Sequence, residues 1–188
     1  MSASAATPSV HPQRNLLSGP DELHQLGEDL PDIQAALLPY GEWEPFPRAD
    51  DRAAWNALEA STRSELIAKG EARLAAPWEA LPATKYLDYM RNGDRRSYQL
   101  PWADRRNRLI ALVLAECAEG KGRFIDQITN GLWLLFEETS WVYPAHIFMQ
   151  RAGSDLPDTT EHVVDLGVGE TAALVAWIDY LLGPQLDD

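Results

Sequence analysis

Two stretches of the sequence are apolar on nearly every side, and they constrain the fold more than any other feature. Residues 104–119 begin with charged side chains and then run almost without polar residues from Leu109 to Cys117. Residues 124–136 repeat the pattern, with large aliphatic side chains at helical spacing on one face. A helix that is apolar on more than one side must be buried on more than one side. These stretches predict an all-α protein built of packed helical layers.

Further helices are predicted by apolar periodicity and capping signals at 20–26, 32–38, 50–74, 84–90 and 171–182. The segment 40–48 contains two prolines and three aromatic residues, which favours an extended connection. Only 162–166 alternates apolar and polar residues enough to suggest a weak strand. Trp133 and Trp177 lie within apolar helices, so we expect both in the core. We expect residues 1–19, which are rich in Ser, Ala and Pro, to form an extended or disordered tail, and 20–188 to form one helical domain.

Charge and composition exclude several classes of function. The formal net charge is -13, with 29 acidic against 16 basic residues, and such a surface repels a phosphate backbone. We therefore predict no nucleic-acid partner, although a local group of arginines can still receive an anion. The His, Asp and Glu residues lack metal-ligand spacing, and no Cys pair occurs, so no metal or cofactor is predicted.

Targeting signals are also missing from the sequence pattern. The first residues do not combine a basic segment with an apolar one, as a secretory signal would. The apolar runs are interrupted by charge within fewer than the ~20 residues that cross a bilayer, so no membrane span is predicted. The single cysteine, Cys117, excludes an internal disulfide and reads as a small core residue. Together these features favour a cytoplasmic location.

The candidate functional feature is the run from Gly131 to His146, in which an apolar helix ends in a cluster of Glu, Trp, Tyr and His. Sugars present apolar C–H faces and polar edges, so their sites combine aromatic rings with carboxylates or imidazoles. His146 is the candidate catalytic residue, because an imidazole can both accept and donate a proton near neutral pH. The candidate substrate-binding residues in this run are Glu137, Glu138, Trp141 and Tyr143.

Each candidate also has a structural alternative. His146 follows a Pro-Ala turn and can instead hydrogen-bond to the backbone. Glu137 and Glu138 end a helix, where the helix dipole disfavours negative charge, so one of them is expected to bind substrate or to hold a buried hydrogen bond. Arg91 and Arg95 flank Asn92-Gly93 and can bind a uronate carboxylate in bidentate fashion, or pair with acidic residues of the chain.

Several motifs between Trp55 and Leu186 occur together in one known family. They are Tyr89-Met-Arg91-Asn-Gly93-Asp-Arg95, Glu116-Cys-Ala-Glu-Gly-Lys-Gly-Arg123-Phe124, Glu137-Glu138-Thr-Ser-Trp141-Val-Tyr143-Pro144-Ala-His146, Leu156-Pro157-Asp158, Val164-Asp165-Leu166 and Glu170-Thr171-Ala-Ala. With these motifs the chain resembles the amino-terminal part of heparinase II/III-like proteins, which are relatives of polysaccharide lyases. The resemblance implies an (α/α) toroid, a ring of paired helices whose open end holds a sugar chain.

The implied reaction is β-elimination from a uronate-containing polysaccharide or oligosaccharide. A base removes the C5 proton, an acid protonates the leaving oxygen, and the family uses Asn, His and Tyr for these steps. The Asn/His-bearing stretch of the family follows the matched motifs, and no Asn-His or Asn-Asn-Trp sequence precedes Asp188. We therefore expect a partial toroid without the full catalytic set, which leaves open whether this chain is an enzyme. Exposed helix faces would favour a homo-oligomer.

Two other functions stay open at the level of sequence. One is a glycoside hydrolase on a similar helical toroid, with Glu138 and Asp165 as its acid and base. The other is a non-catalytic carbohydrate-binding or scaffold domain.

Overall fold

The computed structural model describes residues 42–186. The chain divides into two units after Pro45, so that residues 42–45, without helix or strand, are the described part of the first unit. Between Phe46 and Leu186 all regular structure is helical, which confirms the all-α class. The tail at 1–19, the domain boundary after it, and the helices predicted at 20–26 and 32–38 lie outside the described residues.

Six α-helices occur in the described part of the chain: α1 Arg52–Asn56, α2 Ala60–Leu74, α3 Ala83–Asn92, α4 Arg96–Glu119, α5 Ile125–Phe136 and α6 Leu166–Leu182. Two short 3₁₀ turns, Ile147–Met149 and Gly183–Gln185, follow α5 and α6 respectively.

Helix α4 lies at the centre of the fold, and α1, α2, α3, α5 and α6 all contact it. Most of its apolar half is buried, with Leu109, Leu112 and Cys117 at 0% exposure, whereas Ile110 is 43% exposed. This confirms the expectation that the most apolar helix is covered on most sides. The helix begins at Arg96, earlier than the predicted 104, and the carboxylate of Asp94 accepts hydrogen bonds from the first N–H groups.

The long helix predicted over 50–74 is wrong in one respect, because it is interrupted at 57–59 between α1 and α2. Asp51 caps α1, since its carboxylate accepts the N–H of Ala54 at 3.1 Å. No glycine or proline marks the interruption. Trp55 is instead buried in the core and donates its indole N–H to the carbonyl of Arg48 at 2.9 Å. A tertiary anchor therefore sets the orientation of α1.

Helices α3 and α5 follow the sequence pattern closely, whereas α6 begins at Leu166 and not at the predicted 171. Helix α3 ends at Gly93, whose φ of 78° is left-handed, and α4 ends in the same way at Gly120. The weak strand suggested at 162–166 does not form. Asp165 instead caps α6 by accepting the N–H of Val168 at 3.0 Å, and the helix starts at the next residue.

The two tryptophans expected in the core are exposed. Trp133 is 65% exposed and Trp177 is 37% exposed. Helix α5 packs against α4 through Gly131 and Leu135, and Trp133 is two residues from each of them. Two residues correspond to about 200° around a helix, so Trp133 lies on the opposite side. Hydropathy marked the helix as apolar but did not reveal which face turns outward.

One segment of the described chain, Leu166–Gln185, is long and apolar enough to cross a membrane by length and composition alone. This differs from the sequence expectation that charge interrupts every apolar run too soon. Glu170 and Asp179 lie within the segment, and a core helix can pass the same test. Its residues Ile178 and Leu182 are buried in the main core.

Candidate functional site

The loop after α5 is held in place by a second, aromatic core. This core consists of Tyr86 from α3, Tyr98 and Trp102 from α4, and Val142 and Ile147 from the loop region. The hydroxyl of Tyr86 also donates a hydrogen bond to the carbonyl of Val142 at 3.0 Å. These contacts fix the backbone between Glu137 and His146, so the polar side chains of the loop are presented in defined positions.

Glu138 is the centre of a buried ion-pair cluster. Its carboxylate accepts hydrogen bonds from Arg105 at 3.2 Å and from Arg106 at 3.2 and 2.7 Å. The exposed fractions of the three side chains are 8% for Arg105, 6% for Arg106 and 3% for Glu138. Burial lowers the pKa of Arg106, and the hydrogen bond and charge of Glu138 oppose that shift. The sequence predicted that one of the two glutamates binds substrate or holds a buried hydrogen bond. In the structure Glu138 makes buried hydrogen bonds.

A cleft of about 370 Å³ opens beside this cluster. Glu137 and Glu138 both line it, together with Thr139 and Ser140 of the loop and Tyr98 and Arg105 of α4. Glu137 is exposed to solvent, in contrast to its neighbour. Both predicted glutamates therefore line a cleft that is large enough for a small ligand.

His146 forms a close pair with Asp165 across the loop. Its Nδ1 lies 2.7 Å from Oδ2 of Asp165, and the two side chains are 28% and 2% exposed. The same carboxylate oxygen accepts the backbone N–H of Tyr143 at 3.0 Å. An ionised carboxylate can only accept, so His146 donates from Nδ1, and in the neutral form of the ring Nε2 carries the lone pair. Nε2 makes no hydrogen bond with any residue that the structure describes.

Tyr143 lies between this pair and the helix core. Its ring meets Trp102 edge-on at 4.7 Å and His146 edge-on at 5.6 Å. Its hydroxyl donates to the carboxylate of Glu170 at 2.7 Å. Burial and then the contact with Glu170 raise the pKa of Tyr143, so the phenol stays protonated near neutral pH. The arrangement supports a positioned imidazole beside a neutral phenol.

Trp141 and the exposed end of α5 form an aromatic edge. The indole N–H of Trp141 donates to the carbonyl of Leu135 at 2.9 Å, which fixes the orientation of its ring. Phe136, 60% exposed, lies 6.5 Å from that ring. Trp141 also lines a second cleft, of about 480 Å³, with Ser140 and His162.

Arg91 and Arg95 are exposed at the turn between α3 and α4. The guanidinium of Arg95 lies 6.0 Å from the ring of Tyr89. Neither arginine lines the clefts beside the loop, so the structure does not bring them together with the other predicted residues.

The most important residues that sequence reasoning missed are on α4. Arg105 and Arg106 hold Glu138. Trp102 has the guanidinium of Arg106 over its ring, 3.5 Å away, and contacts Tyr143 edge-on. A signal for them was present. Adjacent arginines at the start of an otherwise apolar, buried helix need a buried carboxylate partner, and Glu138 was the acidic residue with the least favourable helix position.

Glu138 and Asp165, the acid and base of the hydrolase alternative, are both buried and already hold partners. Glu138 accepts from two arginines, and Asp165 accepts from Tyr143 and Val168 and faces His146. Neither carboxylate is free to give a proton to a glycosidic oxygen or to activate a water. The geometry therefore gives the hydrolase reaction no support.

A larger groove, of about 730 Å³, lies between α1, α4 and α6. Its lining includes Trp55, Ile110 and Leu174, and Glu170 is its single charged residue. Such a lining lacks the polar groups that a sugar requires. The loop after α5 remains the better candidate site.

The chain matches no protein-family model and no curated protein. The described residues contain no group of three or more His, Cys, Asp and Glu side chains arranged to hold a metal ion.

Proposed function

We propose that the chain binds a uronate-containing glycan at the surface around His146, as the helical toroid region of a heparinase II/III-like lyase. The observation that carries the proposal is the His146–Asp165 pair. A buried carboxylate fixes one ring nitrogen at 2.7 Å, and the other nitrogen is uncommitted on a side chain that is 28% exposed. Polar groups held in this way are suited to proton transfer with a bound ligand.

The chemistry of the pair fits β-elimination better than hydrolysis. Elimination needs a base for the C5 proton and an acid for the leaving oxygen. The Nε2 lone pair of His146 can take the C5 proton, and the imidazolium can return a proton to the leaving oxygen as the C4–O bond breaks and the C4–C5 double bond forms. Asp165 would then stabilise the imidazolium, because its buried carboxylate already accepts from Nδ1. Tyr143 supplies a protonated phenol next to the ring, and Glu170 fixes its hydroxyl.

The aromatic edge supports a sugar ligand. Trp141 has a ring fixed by its indole hydrogen bond, and Phe136 exposes most of its ring beside it. A fixed aromatic surface can stack on the apolar face of a sugar at little entropic cost. Glu137 and Thr139, at the neighbouring cleft, offer acceptors for sugar hydroxyls.

The test measures binding and turnover of uronate polysaccharides by the chain and by three variants. Elimination is followed by the ultraviolet absorbance of the unsaturated product, which hydrolysis does not create. We expect His146→Gln to lower any elimination rate by roughly 10² to 10⁴. Asp165→Asn should act in the same direction, while asparagine can still cap α6.

His162→Gln is the matched control, because His162 is an exposed histidine outside the pair. Equal glycan binding and turnover by the wild type, His146→Gln and His162→Gln would overturn the role given to His146. Glycan binding without elimination, weakened by Trp141→Ala, would support a non-catalytic binding domain instead.

A further inference from the structure

We propose that the cleft of about 370 Å³ beside Glu138 is a binding site for a small organic carboxylate, held by Tyr98 and Arg105. The sequence singled out neither residue. His146 and Asp165 do not line this cleft, so the inference does not need the histidine chemistry proposed for the glycan. Glu137 and Thr139 are shared with the glycan proposal, but neither supplies the two donors on which this inference rests.

The first argument is an unused hydrogen-bonding capacity in buried side chains. Tyr98 is 5% exposed and Arg105 is 7% exposed, and both line the cleft. The hydroxyl of Tyr98 has no hydrogen-bond partner among the described residues and is not one of their fully buried unpartnered atoms, so it is open to the cleft. Arg105 uses Nε on the carbonyl of Glu79 and Nη1 on Glu138, which leaves Nη2 without a partner in the same part of the chain. Two donors are therefore available to one ligand.

The second argument is the charge balance of the cluster. Arg105 and Arg106 carry two positive charges, and Glu138 carries one negative charge, so the three buried side chains retain one net positive charge. A buried charge without a partner is costly, and an anion in the adjoining cleft would compensate it. This local charge is opposite in sign to the protein as a whole, whose net charge is -13.

The third argument concerns the kind of anion. Burial, followed by the charge of Glu138, raises the pKa of Tyr98 to about 12, so its hydroxyl remains a donor near neutral pH. One net positive charge matches a monoanion. The exposed carboxylate of Glu137, also in the lining, opposes every anion, although solvent screens it, and this repulsion is stronger for anions of higher charge. Apolar side chains such as Leu81, Leu134 and Pro157 complete the lining and suit a carbon body rather than an inorganic ion.

The experiment titrates the full chain with propionate, with its neutral isostere propionamide, and with inorganic phosphate. Binding is read from backbone amide NMR shifts of Thr139 and Ser140, which line the cleft. We expect saturable binding of propionate and at least roughly tenfold weaker binding of propionamide and phosphate, because only the monocarboxylate matches the charge and the donors.

Two tyrosine variants separate ligand binding from folding. Tyr98→Phe keeps the ring that packs edge-on against Tyr86 at 4.9 Å and removes the unpartnered hydroxyl. It should weaken propionate binding roughly tenfold to a hundredfold, the range for one hydrogen bond to a charged acceptor. Tyr89→Phe is the matched control, since Tyr89 lies on the same helix as Tyr86 but does not line the cleft. It should leave propionate affinity unchanged.

Equal affinity for propionate and propionamide, or unchanged affinity in a folded Tyr98→Phe variant, would overturn the proposal. Phosphate that binds as tightly as propionate would overturn the assignment of a carboxylate. If the chain binds propionate but no glycan, only the glycan function is refuted. If it binds glycan but no propionate, only the carboxylate site is refuted.

Discussion

The substitution Glu138→Gln tests whether the buried ion-pair cluster holds the loop on α4. The change removes one negative charge and keeps the shape of the side chain. In the wild type the carboxylate makes three hydrogen bonds to Arg105 and Arg106, and all three side chains are at most 8% exposed. The glutamine amide can accept from one guanidinium, but its NH₂ group would face the other. The substitution therefore leaves two buried cations without a counter-charge.

The expected loss in the free energy of unfolding follows from the burial of these side chains. Breaking a buried ion pair by removing one partner costs about 3–5 kcal/mol, because the remaining charge stays desolvated. A domain of this size has a free energy of unfolding of roughly 5–15 kcal/mol, so the loss is a large part of the total. Glu65→Gln is the matched control. Glu65 pairs with Lys69 at 2.7 Å, but the side chains are 65% and 62% exposed. Solvent screens such a pair, and its removal should leave stability within experimental error.

Urea denaturation followed by circular dichroism measures both variants. Glu138→Gln should lower the midpoint strongly with an unchanged slope, whereas Glu65→Gln should coincide with the wild type. Two superimposed curves would refute the reasoning, because they would mean that the cluster contributes no more than a surface pair. A stable Glu138→Gln variant that no longer binds glycan would instead favour a direct role of this glutamate with substrate.

Two further predictions concern the core. Gly70→Ala should destabilise the fold by about 1–3 kcal/mol in urea denaturation, since the added Cβ would lie 2.2 Å from Cβ of Ala115 where α2 crosses α4. Gly169→Ala, in α6 with open space around it, should stabilise by up to about 1 kcal/mol, and equal effects of both changes would contradict the close crossing. Burial raises the pKa of the Cys117 thiol to about 12, so a thiol reagent near pH 8 should label this residue only as fast as the protein unfolds. Rapid labelling of the native chain would contradict its complete burial.

The sequence predicted those parts of the fold whose signals are local. Helix α3 ends at Gly93 and α4 at Gly120, where a left-handed residue stops each helix. The burial of α4 followed from its apolar surface, since such a helix has no side that favours water. For the same reason the all-α class was predictable without knowledge of how the helices are arranged.

The features that the sequence did not predict depend on contacts between residues that are distant in sequence. The interruption before α2 has no helix-breaking residue, and the contacts that anchor α1 beside it, such as the hydrogen bond of Trp55 to Arg48, are tertiary. The outward direction of Trp133 depends on which face of α5 meets α4, and Gly131 decides this by allowing close approach to Leu109. The ion pairs of Glu138 join residues more than 30 positions apart. Periodicity predicts that a side chain lies on a helix, but it does not predict which residues of other helices or loops that side chain contacts.

The ion-pair cluster of Glu138 and the His146–Asp165 pair are connected by one set of packed side chains. This connection affects how functional variants are interpreted. The guanidinium of Arg106 lies 3.5 Å from the ring of Trp102, and Trp102 in turn packs against Tyr143, the neighbour of His146. Because these groups form one continuous contact, a change at Glu138 that releases Arg106 would also disturb the ring beside His146. A loss of glycan binding in Glu138→Gln is therefore informative only if the variant stays folded. His146→Gln removes the imidazole contacts at the surface and leaves the buried cluster intact, so it isolates the chemistry of the histidine from the stability of its support.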